Sequence, residues 1–141
     1  MATEITGYEG TYPATTPAEP SLKAFLSNFY RLSDSPEHND EWTAQFLDDA
    51  VIRLGPKTAK GREEIKPFRA GMWEKVESRR HRLGRVMVGG FEEGEVEVMI
   101  TGSVKYRMRG DGGEVEVEWA GHGRVVRDGG GWRFGAYRVW L

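Results

Sequence analysis

The feature that most constrains this chain is a change of hydrophobic period near Ser78. Before it, apolar residues recur at spacings of three and four; after it, they alternate. Four long alternating stretches follow, at about 79–88, 95–108, 114–126 and 132–140. They are separated by Gly89-Gly90, Gly110-Asp111-Gly112-Gly113 and Asp128-Gly129-Gly130-Gly131. Short glycine links of this kind join neighbouring antiparallel strands, so a mostly antiparallel sheet is expected. Upstream, Leu22, Phe25, Leu26, Phe29 and Tyr30 mark the apolar face of a helix. Its expected start is Thr16-Pro17-Ala18-Glu19, with Thr16 as cap, and Ser33-Asp34-Ser35-Pro36 ends it. A short second helix is expected over about 39–47, with Trp42, Phe46 and Leu47 facing inward. Ala50–Leu54 reads as a strand and Lys57–Lys60 as a brief returning one. A third helix opens at Gly61, with Ile65, Phe68, Met72 or Trp73, and Val76 as its buried stripe. Residues 1–15 carry no period and read as a flexible arm that Tyr8 and Tyr12 could anchor; 16–141 read as one domain.

Alternation sorts the long strands into faces. Val96, Val98, Ile100, Gly102, Val104, Tyr106 and Met108 point one way, as do Val115, Val117, Trp119, Gly121, Gly123 and Val125 on the next strand. Only the three N-terminal helices can cover that face. Gly102, Gly121 and Gly123 fall on it in mid-strand, where glycine marks a bend or a close approach. The expected architecture is α+β, a curved antiparallel sheet forming a half-open cone over three helices, with a small-molecule pocket at its mouth. The opposite face carries Lys105 and Arg107, expected across from Glu116 and Glu118. Such a ladder suits a solvated face or one half of a two-fold interface; a homodimer through this outer face is the expectation.

Composition narrows the chemistry. The 141 residues suit one domain, and the absence of cysteine excludes disulfides, a thiolate nucleophile and cysteine-bound zinc. With 20 basic and 22 acidic residues the net charge of -2 gives no reason to expect nucleic-acid or anionic-membrane binding. No apolar run approaches the length of a membrane span and the first residues do not read as a signal peptide, so a soluble, cytoplasmic protein is expected. The three histidines lack metal-ligand spacing and no phosphate-binding loop is present, so no metal or other cofactor is expected.

Helix–helix–strand–helix followed by a long curved sheet resembles the order of the nuclear transport factor 2-like superfamily. Gly61-Arg62-Glu63-Glu64-Ile65 with Phe68 resembles the opening of the third helix in its SnoaL-like, polyketide cyclase-like members. Trp132-Arg133-Phe134, after a glycine turn, resembles their last-strand motif. The chain is similar to small SnoaL-like proteins of filamentous fungi, which points towards secondary metabolism. A more distant resemblance is to the scytalone dehydratase family. His81, in Arg80-His81-Arg82-Leu83-Gly84, looks like that family's catalytic histidine, Gly121-His122-Gly123 resembles its Gly-His-Ala, and Tyr30 matches a tyrosine late in its first helix. The family's aspartate after that tyrosine is Arg31 here, its second histidine falls at Tyr106, and its pocket serine and asparagine fall at Val125 and Arg127.

The resemblance implies a pocket centred on His81. Histidine is the side chain best suited to move a proton near neutral pH, and alternation puts Arg79, His81 and Leu83 on the pocket side. Asp34, in a loop where the superfamily often places an aspartate, is the expected carboxylate partner, with Asp48 and Asp49 as weaker candidates. Tyr106 is expected to donate a hydrogen bond, and Phe29, Tyr30, Trp73, Trp119 and Val125 to contact the ligand. His122 falls on the polar face and His38 in a polar loop. The expected activity is that of a cofactor-independent isomerase, cyclase or dehydratase on a small hydrophobic oxygenated metabolite. The alternative is a non-catalytic ligand-binding or protein-interaction module of the same fold.

Overall fold

The computed structural model describes residues 7–15 and 18–141. The elements are α1 (Pro20–Ser33), α2 (Asn39–Thr43), β1 (Phe46–Leu54), β2 (Lys57–Lys60), α3 (Gly61–Gly71), β3 (Val76–Glu92), β4 (Glu95–Met108), β5 (Glu114–Asp128) and β6 (Gly131–Trp140). They build one sheet in the order β2-β1-β6-β5-β4-β3. Every pairing is antiparallel except β1 with β6. The sheet is open and curls into an α+β cone around its apolar face, as the alternation predicts.

Helix α1 buries Leu22, Phe25, Leu26, Phe29, Tyr30 and Ser33. It begins later than expected, at Pro20, which suits a first turn because its missing N–H would have no partner there. The expected cap pair Thr16-Pro17 lies outside the described residues. Glu19 takes the cap position without a capping bond, and its carboxylate accepts from Ser21 Oγ and Arg127 instead. Helix α2 stops at Thr43, short of the expected 47, because Phe46 already pairs with Phe134 of β6 as the start of β1. Strand β3 continues through Gly89-Gly90 to Glu92; the turn falls at Gly94, whose φ of +80° carries it. The ladder between β4 and β5 is also one pair off the expected register. Lys105 faces Glu116, but Arg107 faces Glu114 and Glu118 faces Ser103.

The mid-strand glycines are sites of close approach. A Cβ on Gly102 would stand 3.0 Å from Cζ2 of Trp119, and one on Gly121 would stand 3.1 Å from Cζ3 of the same indole. A Cβ on Gly123 would meet Phe134 at 2.5 Å. These glycines let large rings lie flat on the sheet. One end of the cone is filled by an aromatic cluster in which Phe29 stacks on Trp42 and meets Phe46, Phe134 and Tyr137 edge-on at 4.8–5.7 Å. Beyond the sheet, Gly7–Thr11 runs beside β3. Gly7 O accepts from Leu83 N–H, Thr11 bonds Gly84 O and Val86 N–H, and Tyr8 is buried. Among the described residues no helix is long and apolar enough to cross a membrane.

Candidate functional site

The end of α1 and the middle of β3 meet at the open end of the cone. Asp34 follows the last residue of α1, and its N–H closes the helix on Tyr30 O and Arg31 O. Its side chain turns down onto β3. Oδ1 lies 2.6 Å from His81 Nδ1, while Oδ2 accepts from the His81 backbone N–H at 2.8 Å and from the Tyr8 hydroxyl at 2.7 Å. The Asp34 carboxylate is 6% exposed and the His81 ring 16%. A carboxylate can only accept, so Nδ1 of His81 is the donor and, in the neutral ring, Nε2 carries the free lone pair. Nε2 bonds to none of the described residues. The ring is held between Tyr30, at 5.2 Å, and the edge of Trp119, at 5.7 Å.

His81 is part of the wall of a cavity of about 370 Å³. Apolar side chains dominate the lining, among them Phe68, Met72, Val104, Trp119 and Val139. The polar members are few: His81, Tyr106, Tyr137, Arg79, Ser33 and, at the exposed rim, Lys57 and Glu74. Tyr106 stacks under the Arg79 guanidinium at 5.5 Å, and its hydroxyl bonds to none of the described residues. Burial raises the pKa of Tyr106, and the charge of Arg79 offsets part of the rise. Tyr137 shares a 3.0 Å hydroxyl–hydroxyl hydrogen bond with Tyr30, and burial keeps both protonated well above neutral pH. The wall thus offers one basic nitrogen and nearby neutral phenols. Such a set can take a proton from carbon and hydrogen-bond a carbonyl or a leaving oxygen. Among the described residues no three His, Cys, Asp or Glu side chains converge as a metal site would need.

The expected site residues divide. Asp34 and His81 pair directly, and Tyr106 and Trp119 line the same cavity. Phe29 and Val125 do not reach it. Both are fully buried, Phe29 within the aromatic cluster and Val125 in the core against β6, where it pairs with Phe134. Tyr30 stands behind the wall, its hydroxyl sharing a hydrogen bond with that of Tyr137. Trp73 also stands behind it, with its indole between the guanidinium groups of Arg69 and Arg79. Leu83 packs in the core, past His81. Asp48 pairs with Arg62 on the surface. His122 meets Glu97 on the outer face at 2.8 Å, and His38 lies near Glu41.

Two contributors were not legible from the sequence. Tyr137 is separated from Tyr30 by 107 positions, and nothing in its strand pattern shows that its hydroxyl meets another. Arg69 lies in the buried stripe of α3, where an arginine reads as a surface residue. It is fully buried, with Nε on Asn39 Oδ1 and its Nη groups on the carbonyls of Leu32, Ser33 and Ser35. Those carbonyls flank Asp34, so Arg69 fixes the loop that presents the carboxylate. The helical period does not reveal this; the one hint is that Arg69 lies four residues after Ile65, on the same face.

Residues 15–138 match the profile of the SnoaL-like domain. No curated protein sequence matches the chain. Among solved structures, it is similar to a provisionally assigned scytalone dehydratase from Novosphingobium aromaticivorans, with a TM-score of 0.78 and 18% identity over 84% of this chain and 80% of that one. It is similar to a LinA-type hexachlorocyclohexane dehydrochlorinase from Novosphingobium barchaimii, with a TM-score of 0.75 and 14% identity over 85% and 83%. It is equally similar in shape to a provisionally assigned calcium/calmodulin-dependent protein kinase II association domain from Xanthomonas campestris, with a TM-score of 0.77 and 9% identity over 93% and 92%. At these identities the likeness is one of fold.

Proposed function

The chain belongs to the SnoaL-like domain family, and from that premise we propose that it is a cofactor-independent lyase or isomerase of a small hydrophobic oxygenated metabolite. The observation that carries this reading is the Asp34–His81 pair at the wall of an apolar cavity. Asp34 holds the ring and fixes its tautomer, and Nε2 acts as the base. In a dehydration, Nε2 takes the proton from a carbon next to a carbonyl and the C–H electron pair becomes the new C=C bond. The hydroxyl group leaves as water with the proton of Tyr106. Proton return from His81 to Tyr106 through water restores both groups. In an isomerisation, His81 gives the same proton back to a different carbon. A dehydratase and a dehydrochlorinase, the names carried by two of the structural neighbours, share the step of losing a proton and a leaving group.

The test is hydrogen–deuterium exchange of the enolisable ketone 2-tetralone in D₂O, followed by NMR. The wild-type protein should accelerate exchange, and His81→Ala should cut the acceleration by roughly 10²–10⁴-fold while leaving binding of the ketone within a few-fold. Binding without accelerated exchange would overturn the catalytic reading. It would favour a binding module, which one observation supports: the positions aligned with the pocket serine and asparagine of scytalone dehydratases hold Val125, sealed in the core, and Arg127, paired with Glu19 on the surface. We also propose that two copies pair through the outer sheet face. That face exposes Met87, Met99 and Trp140, with the His122–Glu97 pair next to Met99. Light scattering should give twice the chain mass, and Trp140→Glu should return it to a monomer; a monomeric wild type overturns the dimer.

A further inference from the structure

Arg79 is anomalous among the groups around the cavity. It is a guanidinium only 8% exposed, and it makes no ion pair among the described residues. Nη2 donates to Met72 O at 2.7 Å, while Nε is buried without a partner and Nη1 bonds to none of the described residues. Its Cζ lies over the Trp73 ring at 4.6 Å and over the Tyr106 ring at 5.5 Å. The nearest buried carboxylate, Asp34, already has both oxygens on His81 and Tyr8. Glu74, also at the cavity, is exposed at the rim. A buried cation left this open is destabilising unless something supplies the missing acceptors. The other buried polar atoms without partners near it, the indole N–H groups of Trp73 and Trp119, are donors too. The unpartnered buried atoms around Arg79 are thus all donors.

We propose that the cavity takes a small organic acid, its carboxylate held by Arg79 and its apolar body lying among Phe68, Met72, Val104 and Val139. A guanidinium binds a planar carboxylate through paired N–H donors, and the cation loses little hydration by doing so once it is already buried. Arg79 and His81 are two residues apart on one strand and line the same cavity, so their backbones are about 7 Å apart. The carboxylate at Arg79 is a separate group from the carbon that meets Nε2. It is an anchor, distinct from the carbonyl that activates the departing proton. This inference rests on the cavity being a small-molecule site, as proposed above.

The test uses pairs of probes that differ only in charge: benzoate, trans-cinnamate and 4-phenylbutanoate, each beside its amide, titrated by calorimetry. In the wild-type protein the best acid should bind at least about tenfold tighter than its amide, as one charge-assisted pair implies. Arg79→Gln should abolish that ratio while leaving the amide's affinity within about threefold, and Arg79→Lys should keep part of it. If Arg79→Gln does not fold, the ratio in the wild type and in Arg79→Lys decides. Amides binding as tightly as acids to the wild type overturn the acid assignment and leave the cavity as a site for neutral ligands. No binding by any of the six probes overturns both readings.

Discussion

Two arginines are buried on either side of one indole, and the fold treats them oppositely. Arg69 and Arg79 lie 5.0 and 4.6 Å from the Trp73 ring. Arg69 has a partner on every nitrogen and a second indole, Trp42, at 4.9 Å. Arg79 has one backbone carbonyl. Burial lowers the pKa of Arg69 to about 9, with the like charge of Arg79 adding to the effect, so it remains a cation at neutral pH. Burial lowers the pKa of Arg79 as well. Comparable burial with unequal satisfaction separates a structural charge from an available one. Arg69 joins α3 to the end of α1; Arg79 keeps its hydrogen-bonding capacity facing a void.

This contrast can be broken by substitution. Arg69→Met should destabilise the protein by about 3–5 kcal/mol in urea unfolding, because it leaves buried carbonyls and Asn39 without donors. It should also loosen Asp34. A loss below about 1 kcal/mol would mean that Arg69 is no more structural than Arg79. The tyrosines give an intermediate effect. All five, including Tyr106 under Arg79, have pKa values raised by burial, Tyr12 to about 12. A tyrosine whose folded pKa is raised stabilises the fold fully below about pH 10, its unfolded value. It loses that contribution as pH climbs to the folded value. Stability should hold level to about pH 10 and then fall, with no tyrosinate absorbance at 295 nm before unfolding begins; early titration of a full phenol would contradict the packing. The smallest effect belongs to Arg79. Replacing an under-satisfied buried charge by Gln should change stability by less than about 1 kcal/mol in either direction, since little bonding is lost and a desolvation cost is removed. A loss as large as that of Arg69→Met would make Arg79 structural and weaken its case as an anchor.

The long strands were legible because a sheet with one covered face must alternate, and β4 and β5 do so almost without exception. The boundaries were less so. Phe46 and Leu47 extend the apolar pattern of α2, and only pairing with β6, far along the chain, draws them into β1. Gly89-Gly90 reads as a turn because glycine weakens strands, yet the pairing with β4 carries the strand past both residues. In the site, His81 and Asp34 were found by residue type and by family likeness. The lining was over-read: an aromatic on the inner face, such as Phe29 or Tyr30, can be filling or wall, and period does not distinguish depth. Satisfaction was invisible altogether. Arg69 and Arg79 look alike in the sequence, and only the carbonyls around each one tell them apart.

The segment Gly7–Thr11 has a consequence beyond holding Tyr8 against Asp34. Strand β3 is one of the two edge strands of the sheet and the longest strand, with 17 residues. Unpaired edges of that length invite other chains to add strands and nucleate aggregates. Here the amides of Leu83 and Val86 and the carbonyl of Gly84 are already occupied by Gly7 and Thr11, beside a register shift between Leu83 and Val86. The same few residues that steady the carboxylate therefore insulate the most vulnerable border of the molecule. Anything that peels this strip away should cost colloidal stability at the moment it disturbs the chemistry.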